Sequence, residues 1–245
     1  LNGSNARIYN LAFRDGRSFH QVASDGGLLP VPVKRRSLLL APAERAEIVV
    51  ALKPGEDPML IHRPVELGGG GMMMMRMTAG ADDGPYPMLR LRAAPDAEPP
   101  AEPLPSKLRA IQRLSADDAR GIRRFRLDTR MMVGSTINGR FMDMARIDQE
   151  VRLGDVEVWE FDNRSPMPHP MHVHGVQFQI LSRNGGASGA GEAGWKDTVL
   201  VRSRETVRVI ARFEDAADGN NPFMFHCHNL EHEDGGMMGQ FTVTA

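Results

Sequence analysis

The run Phe225-His226-Cys227-His228-Asn229-Leu230-Glu231-His232-Glu233-Asp234-Gly235-Gly236-Met237 sets the chain's single cysteine between two histidines, with a third histidine and a methionine close behind. A lone cysteine has no partner for a disulfide, so Cys227 reads as a reactive or ligating thiol. A soft thiolate flanked by imidazoles and followed by another imidazole and a thioether is the donor set of a blue-copper centre. A second cluster, His169-Pro170-Met171-His172-Val173-His174, brings the clustered histidines to six of the eight in the chain.

Strand geometry gives these spacings a direction. Side chains alternate across a strand, so His172 and His174 share one face, as do His226 and His228, while Cys227 points the other way. One strand then offers imidazoles to a site on one side and a thiolate to a site on the other. Adjacent Cα atoms lie ~3.8 Å apart, and side-chain reach on both sides puts two such metals on the order of 10 Å apart. That is a short path for electrons. Two other chemistries fit parts of the pattern. His228-Asn229-Leu230-Glu231-His232 matches a zinc-peptidase motif that needs one continuous helix, which the preceding β-rich run and Gly235-Gly236 oppose. A copper nitrite reductase carries a blue-copper site too, but has no need of imidazoles on both sides of the cysteine. His20 and His62 are isolated in β-rich segments and read as partly buried side chains.

The elements that must position these residues are strands. Short β-rich runs recur at Arg7–Phe13, Ser18–Ala23, Glu47–Ala51, Met59–His62 and Met88–Arg92, with turn residues such as Asp15-Gly16 and Pro54-Gly55 between them. Ala93–Pro105 is rich in Pro, Ala and Glu, as in an extended linker, and a short helix is expected over Ser106–Leu114. A second β-rich block runs through Ile122–Leu127, Glu157–Phe161, His172–Leu181, Asp197–Val201, Thr206–Phe213, Phe223–Phe225 and Gln240–Thr244. The Gly/Ala-rich Asn184–Gly194 reads as a flexible loop. The fold expected is all-β, with two β-sandwiches joined by a linker. The 245 residues suffice for two domains. With 30 basic and 31 acidic residues, composition gives no pointer to nucleic acid or an anionic membrane. No apolar run approaches the ~20 residues of a membrane span.

His-Pro-x-His-x-His followed further along by His-Cys-His-x-x-x-His-x-x-x-x-Met resembles the C-terminal signature of the multicopper oxidase family, closest to its bacterial three-domain laccases and cuprous oxidases. Asn2-Gly3-Ser4-Asn5-Ala6-Arg7, Ser24-Asp25-Gly26-Gly27-Leu28-Leu29-Pro30, Glu44-Arg45-Ala46-Glu47 and Gly194-Trp195-Lys196-Asp197-Thr198-Val199 also look like family segments. The resemblance implies cupredoxin-like Greek-key sandwiches: a middle domain over residues 1–92 truncated at its N-terminus, a linker over 93–119, and a C-terminal domain over 120–245. It makes His169, Cys227, His232 and Met237 the type 1 copper ligands, with Met237 axial. His172 would serve the type 2 copper, and His174, His226 and His228 the type 3 pair. It implies one-electron oxidation of phenolic donors or Cu(I) at type 1, coupled to reduction of O2 to water at a trinuclear cluster.

That cluster takes eight histidines by family pattern, and half are expected from two His-x-His pairs that this chain lacks. The resemblance therefore implies an N-terminal partner or domain that supplies them, with the chain alone inactive towards O2. The alternative is a standalone blue-copper electron-transfer or copper-binding module. Glu233 and Asp234, directly after His232, are candidates for relaying protons. Met72, Met73, Met74, Met75 and Met77 follow Gly68–Gly71 and are soft thioethers suited to Cu(I) delivery, or else a Met-rich packing surface. Met131, Met132, Met142, Met144 and Met167 add further thioethers. Family members that load copper are usually exported, so a periplasmic or secreted location is expected.

Overall fold

The computed structural model describes residues 1–65, 84–98, 102–215 and 217–245. Among them the chain is nearly all strand, arranged as two cupredoxin-like sandwiches. The first is built from β1 (Tyr9–Phe13), β2 (Phe19–Ser24), β3 (Gly27–Arg35), β4 (Leu38–Leu40), β5 (Glu47–Val49), β6 (Met59–His62) and β7 (Tyr86–Arg90). Its sheets run β4-β1-β6-β7 and β3-β2-β5. Phe13, Phe19, Leu38 and Leu60 form a small core there.

The second sandwich contains β8 (Ile122–Arg130), β9 (Gly134–Ile137), β10 (Gln149–Arg152), β11 (Val156–Asn163), β12 (His169–Val173) and β13 (Phe178–Arg183). It is completed by β14 (Thr198–Val201), β15 (Thr206–Arg212), β16 (Asp218–Cys227), the one-turn helix α1 (Leu230–Asp234) and β17 (Met238–Thr244). One sheet has the order β10-β17-β16-β12-β14 and the other β13-β15-β11-β8-β9. Between them lies an aromatic core in which Trp159 meets Phe225 edge-on at 5.6 Å and Phe241 at 5.4 Å. Such pairs add to the area they bury, and they fix the sheet that carries the histidine clusters. β12 and β16 are antiparallel neighbours, with Met171 opposite Cys227 and His172 opposite His226. This register puts both clusters on the same pair of strands.

Three sequence expectations need correction. Ser106–Leu114 is not helical; its only regular neighbour is a 3-10 turn over Ala116–Asp118. Its backbone is satisfied from outside: Leu108 N–H donates to the Pro30 carbonyl, and Gln179 bonds both Leu114 N–H and the Gln112 carbonyl. The run His172–Leu181 is two strands, broken where Gly175 takes a φ of 67°. Asn184–Gly194 is largely exposed through Ala190, but its last four residues pack rather than form a free loop. Gly191 and Gly194 lie where a Cβ would collide with Arg35 and Ser24 of the first sandwich, so the small residues there permit close approach. Glu192 of this segment pairs with Arg183 at 2.6 Å.

Candidate metal centre

β16 ends at Cys227, and the chain then turns back over it. Asn229 O accepts both His232 N–H and Glu233 N–H at 2.9 Å, forming the single turn of α1 that swings His232 towards the thiol. The start of α1 is held by the first sandwich, because Leu230 N–H donates to the Asn5 carbonyl at 2.8 Å. Gly236, at a φ of 85°, makes the exit turn that a side chain would strain. The return is then locked: Met237 N–H donates to His232 O, and Cys227 N–H to Met237 O. Local backbone bonding thus gathers the cysteine, the histidine and the methionine of one sequence run.

His169, from the start of β12, completes the group. Cys227 Sγ is 3.4 Å from His169 Nδ1 and 3.4 Å from His232 Nδ1. Donors each ~2.0–2.3 Å from a shared ion at near-tetrahedral angles lie about that far apart, so the three atoms fit one metal. Met237 is fully buried in the same core cluster as Cys227.

The hydrogen bonds around His169 also suit it to bind a metal. Ser165 Oγ donates to Met167 O at 2.9 Å and lies 2.8 Å from His169 Nε2, with Thr129 Oγ1 3.4 Å from the same nitrogen. With Ser165 accepting, the proton sits on Nε2 and Nδ1 faces the sulfur with its lone pair. Burial drives the Cys227 thiol pKa well above its usual value; the Asn229 backbone N–H partly offsets this, and the Glu233 charge adds to it. Burial, and then the neighbouring His232, hold His169 far below the usual imidazole range. A cation binding there would displace the thiol proton.

The other face of the strands carries a second group. His174 Nε2 and His226 Nε2 are 3.1 Å apart. The donor atoms of His172, His174 and His226 all lie within 4.8 Å of one another. His228 flanks them, its ring 5.3 Å from that of His226 and 5.8 Å from that of His172. Burial, despite the Cys227 carbonyl, lowers His226 to about 4, with the neighbouring histidines adding to the shift. His172 Nδ1 is 2.9 Å from the Asp197 carbonyl and 3.0 Å from Thr198 Oγ1, whose hydrogen goes to Asp197 Oδ1. Both partners accept, so Nδ1 holds the proton and Nε2 is left as the donor atom. This group opens on solvent: His174 is exposed, and a surface hollow of about 480 Å³ is lined by His172, His174, Gln177, Asp197 and Asp215.

Of the two candidate proton carriers, Glu233 comes near the imidazoles, with Oε2 at 3.3 Å from His226 Nδ1, while Asp234 is exposed at the end of α1. The zinc-peptidase arrangement fails because α1 starts after His228, so the two histidines of that motif do not share one helix, and His232 joins the Cys227 group without His228. His62 is fully buried, stacked on Tyr86 at 4.8 Å, and His20 is partly buried; neither joins a donor group. Met72, Met73, Met74, Met75 and Met77 lie outside the described residues. Met131, Met132 and Met144 are exposed, and Met167 is buried. Sequence reading missed Ser165, whose role follows from tertiary hydrogen bonds. It noted Asp197 and Thr198 only as part of a family segment.

Comparison with known proteins agrees with this geometry. A family model described as multicopper oxidase matches residues 112–245. The whole chain aligns at 33% identity with the multicopper oxidase mco of Staphylococcus haemolyticus, covering 47% of it. It aligns at 35% with the cell division protein FtsP of Yersinia pestis, covering 50%. The crystal structure of a McoA multicopper oxidase variant from Aquifex aeolicus superposes over 100% of this chain and 55% of its own, with a TM-score of 0.86 and 34% identity. The chain thus spans about half the length of the curated relatives it matches. Copper is the cofactor expected of such proteins, and the donor groups on both faces of β16 suit it. With a family model over more than half its length, the chain belongs to the multicopper oxidase family.

Proposed function

We propose that this chain carries the electron-accepting site and half of the oxygen-reducing site of a laccase-like copper oxidase. The observation that supports it most is the use of neighbouring residues of one strand, Cys227 and His226, by donor groups on opposite faces. His169, Cys227, His232 and Met237 would hold a type 1 copper. His172 would serve a type 2 copper, and His174, His226 and His228 a type 3 pair. When bound, copper supplies one-electron oxidation of a phenolic donor or Cu(I) on the Cys227 side and reduction of O2 to water on the other.

The protein's own groups set the terms of that chemistry. The core around Cys227 leaves it no solvent-accessible surface. α1 buries none of its residues, so His232 reaches towards solvent and is the natural side for a donor. Glu233 is placed to pass a proton to or from His226 Nδ1. The open face takes its remaining imidazoles from an N-terminal portion with two His-x-His pairs. In this reading residues 1–92 are the middle domain, 93–119 the linker and 120–245 the C-terminal domain. A periplasmic or secreted location suits copper loading. No described helix is long and apolar enough to cross a membrane.

Copper titration of the chain tests this reading. Alone it should take up a single blue copper and consume no O2. Joined to a polypeptide bearing two His-x-His pairs, it should gain the type 2 and type 3 signals and consume O2. Blue copper with no O2 uptake in that complex would instead favour the electron-transfer module. Comparing kcat/KM for Cu(I) and for a phenol, with and without Met72–Met77, would separate the two donor classes.

A further inference from the structure

Three of the sequence segments singled out above meet at one place, behind His172, where the two sandwiches touch. Arg45 of the first sandwich grips Asp197 of the second with both ends of its guanidinium, Nη1 to Oδ1 at 2.7 Å and Nη2 to Oδ2 at 2.6 Å. Arg45 is itself tied down. Its backbone N–H donates to Asp25 Oδ1 at 2.7 Å, Nη2 donates to the Asp25 carbonyl at 3.0 Å, and Nη1 to the Ala43 carbonyl at 3.2 Å. The Asp25 carboxylate is fully buried and also takes Lys196 Nζ at 2.9 Å and Thr198 N–H at 3.3 Å. The segments Ser24–Pro30, Glu44–Glu47 and Gly194–Val199 are thus one hydrogen-bonded unit.

We propose that Arg45 is a positioning residue for His172, acting across the sandwich interface through Asp197. A bidentate guanidinium fixes a carboxylate in both direction and plane. Held this way, Asp197 Oδ1 accepts the Thr198 hydroxyl hydrogen at 2.9 Å, which turns the hydroxyl's lone pair towards His172 Nδ1. The Asp197 backbone carbonyl accepts from Val173 N–H at 3.1 Å and from His172 Nδ1 at 2.9 Å. The imidazole is therefore offered acceptors only, which keeps its proton on Nδ1 and its Nε2 bare towards the open face. Asp197 Oδ1 itself lies 3.6 Å from Nδ1. Without Arg45 the carboxylate is free to rotate and the Thr198 hydroxyl to reverse, which leaves the backbone carbonyl as the one fixed acceptor and weakens the preference for the Nδ1–H tautomer. That Nε2 then serves a metal rests on the function proposed above; the tautomer itself does not.

The full chain, with 15N-labelled histidine and without metal, gives a direct test. Long-range 1H–15N spectra, assigned with a His172→Gln variant, should show His172 as the Nδ1–H tautomer. In Arg45→Gln the minor Nε2–H form should rise about tenfold, and Zn2+ affinity on the open face, measured in a Cys227→Ser background, should fall by a similar factor, as for other supports of ligating histidines. Arg45→Lys, which keeps the charge without the fork, should fall between the two and covers the case in which Arg45→Gln does not fold. Glu192→Gln weakens an ion pair within the second sandwich, beside the same interface, and should leave the tautomer alone. The assignment is overturned if Arg45→Gln or Arg45→Lys leaves the tautomer unchanged, or if Glu192→Gln shifts it equally. If the tautomer responds while the wild-type chain binds no Zn2+ there, the positioning role stands and the metal reading of that face falls.

Discussion

The two faces of β16 both gather histidines and differ in their contact with water. On one, Cys227 and His169 are fully buried among valine, phenylalanine and methionine side chains, and the donors close on each other at 3.4 Å. On the other, His172 is partly buried and His174 exposed, and the group faces a solvent-filled hollow. A sealed group suits electron exchange, because its ligands need not move and no water competes for the ion. An open group leaves room for a substrate and for ligands from elsewhere. The contrast is set by alternation along a strand, with the turn of α1 closing one side.

The largest way to break that contrast is Cys227→Ser. It should abolish blue absorption and lower copper affinity at the sealed site by more than ~100-fold, since a hydroxyl cannot replace a soft thiolate. Metal uptake on the open face, followed by competition with a chelator, should be unchanged. Next is Ser165→Ala, which removes the hydroxyl 2.8 Å from His169 Nε2. An affinity loss of roughly 10–100-fold is expected at the sealed site alone. Glu233→Gln should slow O2 reduction several-fold in the assembled oxidase while the blue band stays in place, as expected for loss of one acid–base group. A normal rate would remove Glu233 from the proton path.

The smallest effect tests the region that serves neither face. Burial alone would raise the Glu192 pKa, but the hydrogen bond and charge of Arg183 outweigh it and hold the carboxyl below its usual range. A lowered folded-state pKa contributes stability above the unfolded value, about 4.3, which is lost as pH falls through the folded one. Glu192→Gln should therefore cost about 1–2 kcal/mol at neutral pH, seen as a Tm drop of a few degrees. The gap to the wild type should close in acid. Arg183 keeps Glu205 at 3.1 Å, which limits the loss.

What the sequence made legible was local. The ligating residues of the sealed site lie mostly in one run, and period two alone assigns Cys227 and His226 to different sides. The β texture was readable at β6, whose bounds match, but β3 escaped notice because Pro30, Pro32, Lys34 and Arg35 interrupt its apolar pattern. The helix expected at Ser106–Leu114 fails because distant groups, Pro30 and Gln179, supply its hydrogen bonds. Arg45 and Asp197 are 152 positions apart, and no local pattern reports a contact of that span. The end of Asn184–Gly194 misleads for a related reason: small residues signal looseness in isolation and tight fit against a neighbouring sandwich.

The pairing of Met171 with Cys227 and of His172 with His226 also constrains how such a chain can change over generations. Substitution along β12 and β16 leaves the sides intact, but inserting or deleting one residue inside either strand reverses every side chain beyond it. The thiol would then face water and an imidazole the aromatic core, ending both sites in one event. Length variation among descendants of this sequence should therefore collect in connections and be absent between His169 and Val173 and between Phe223 and Cys227.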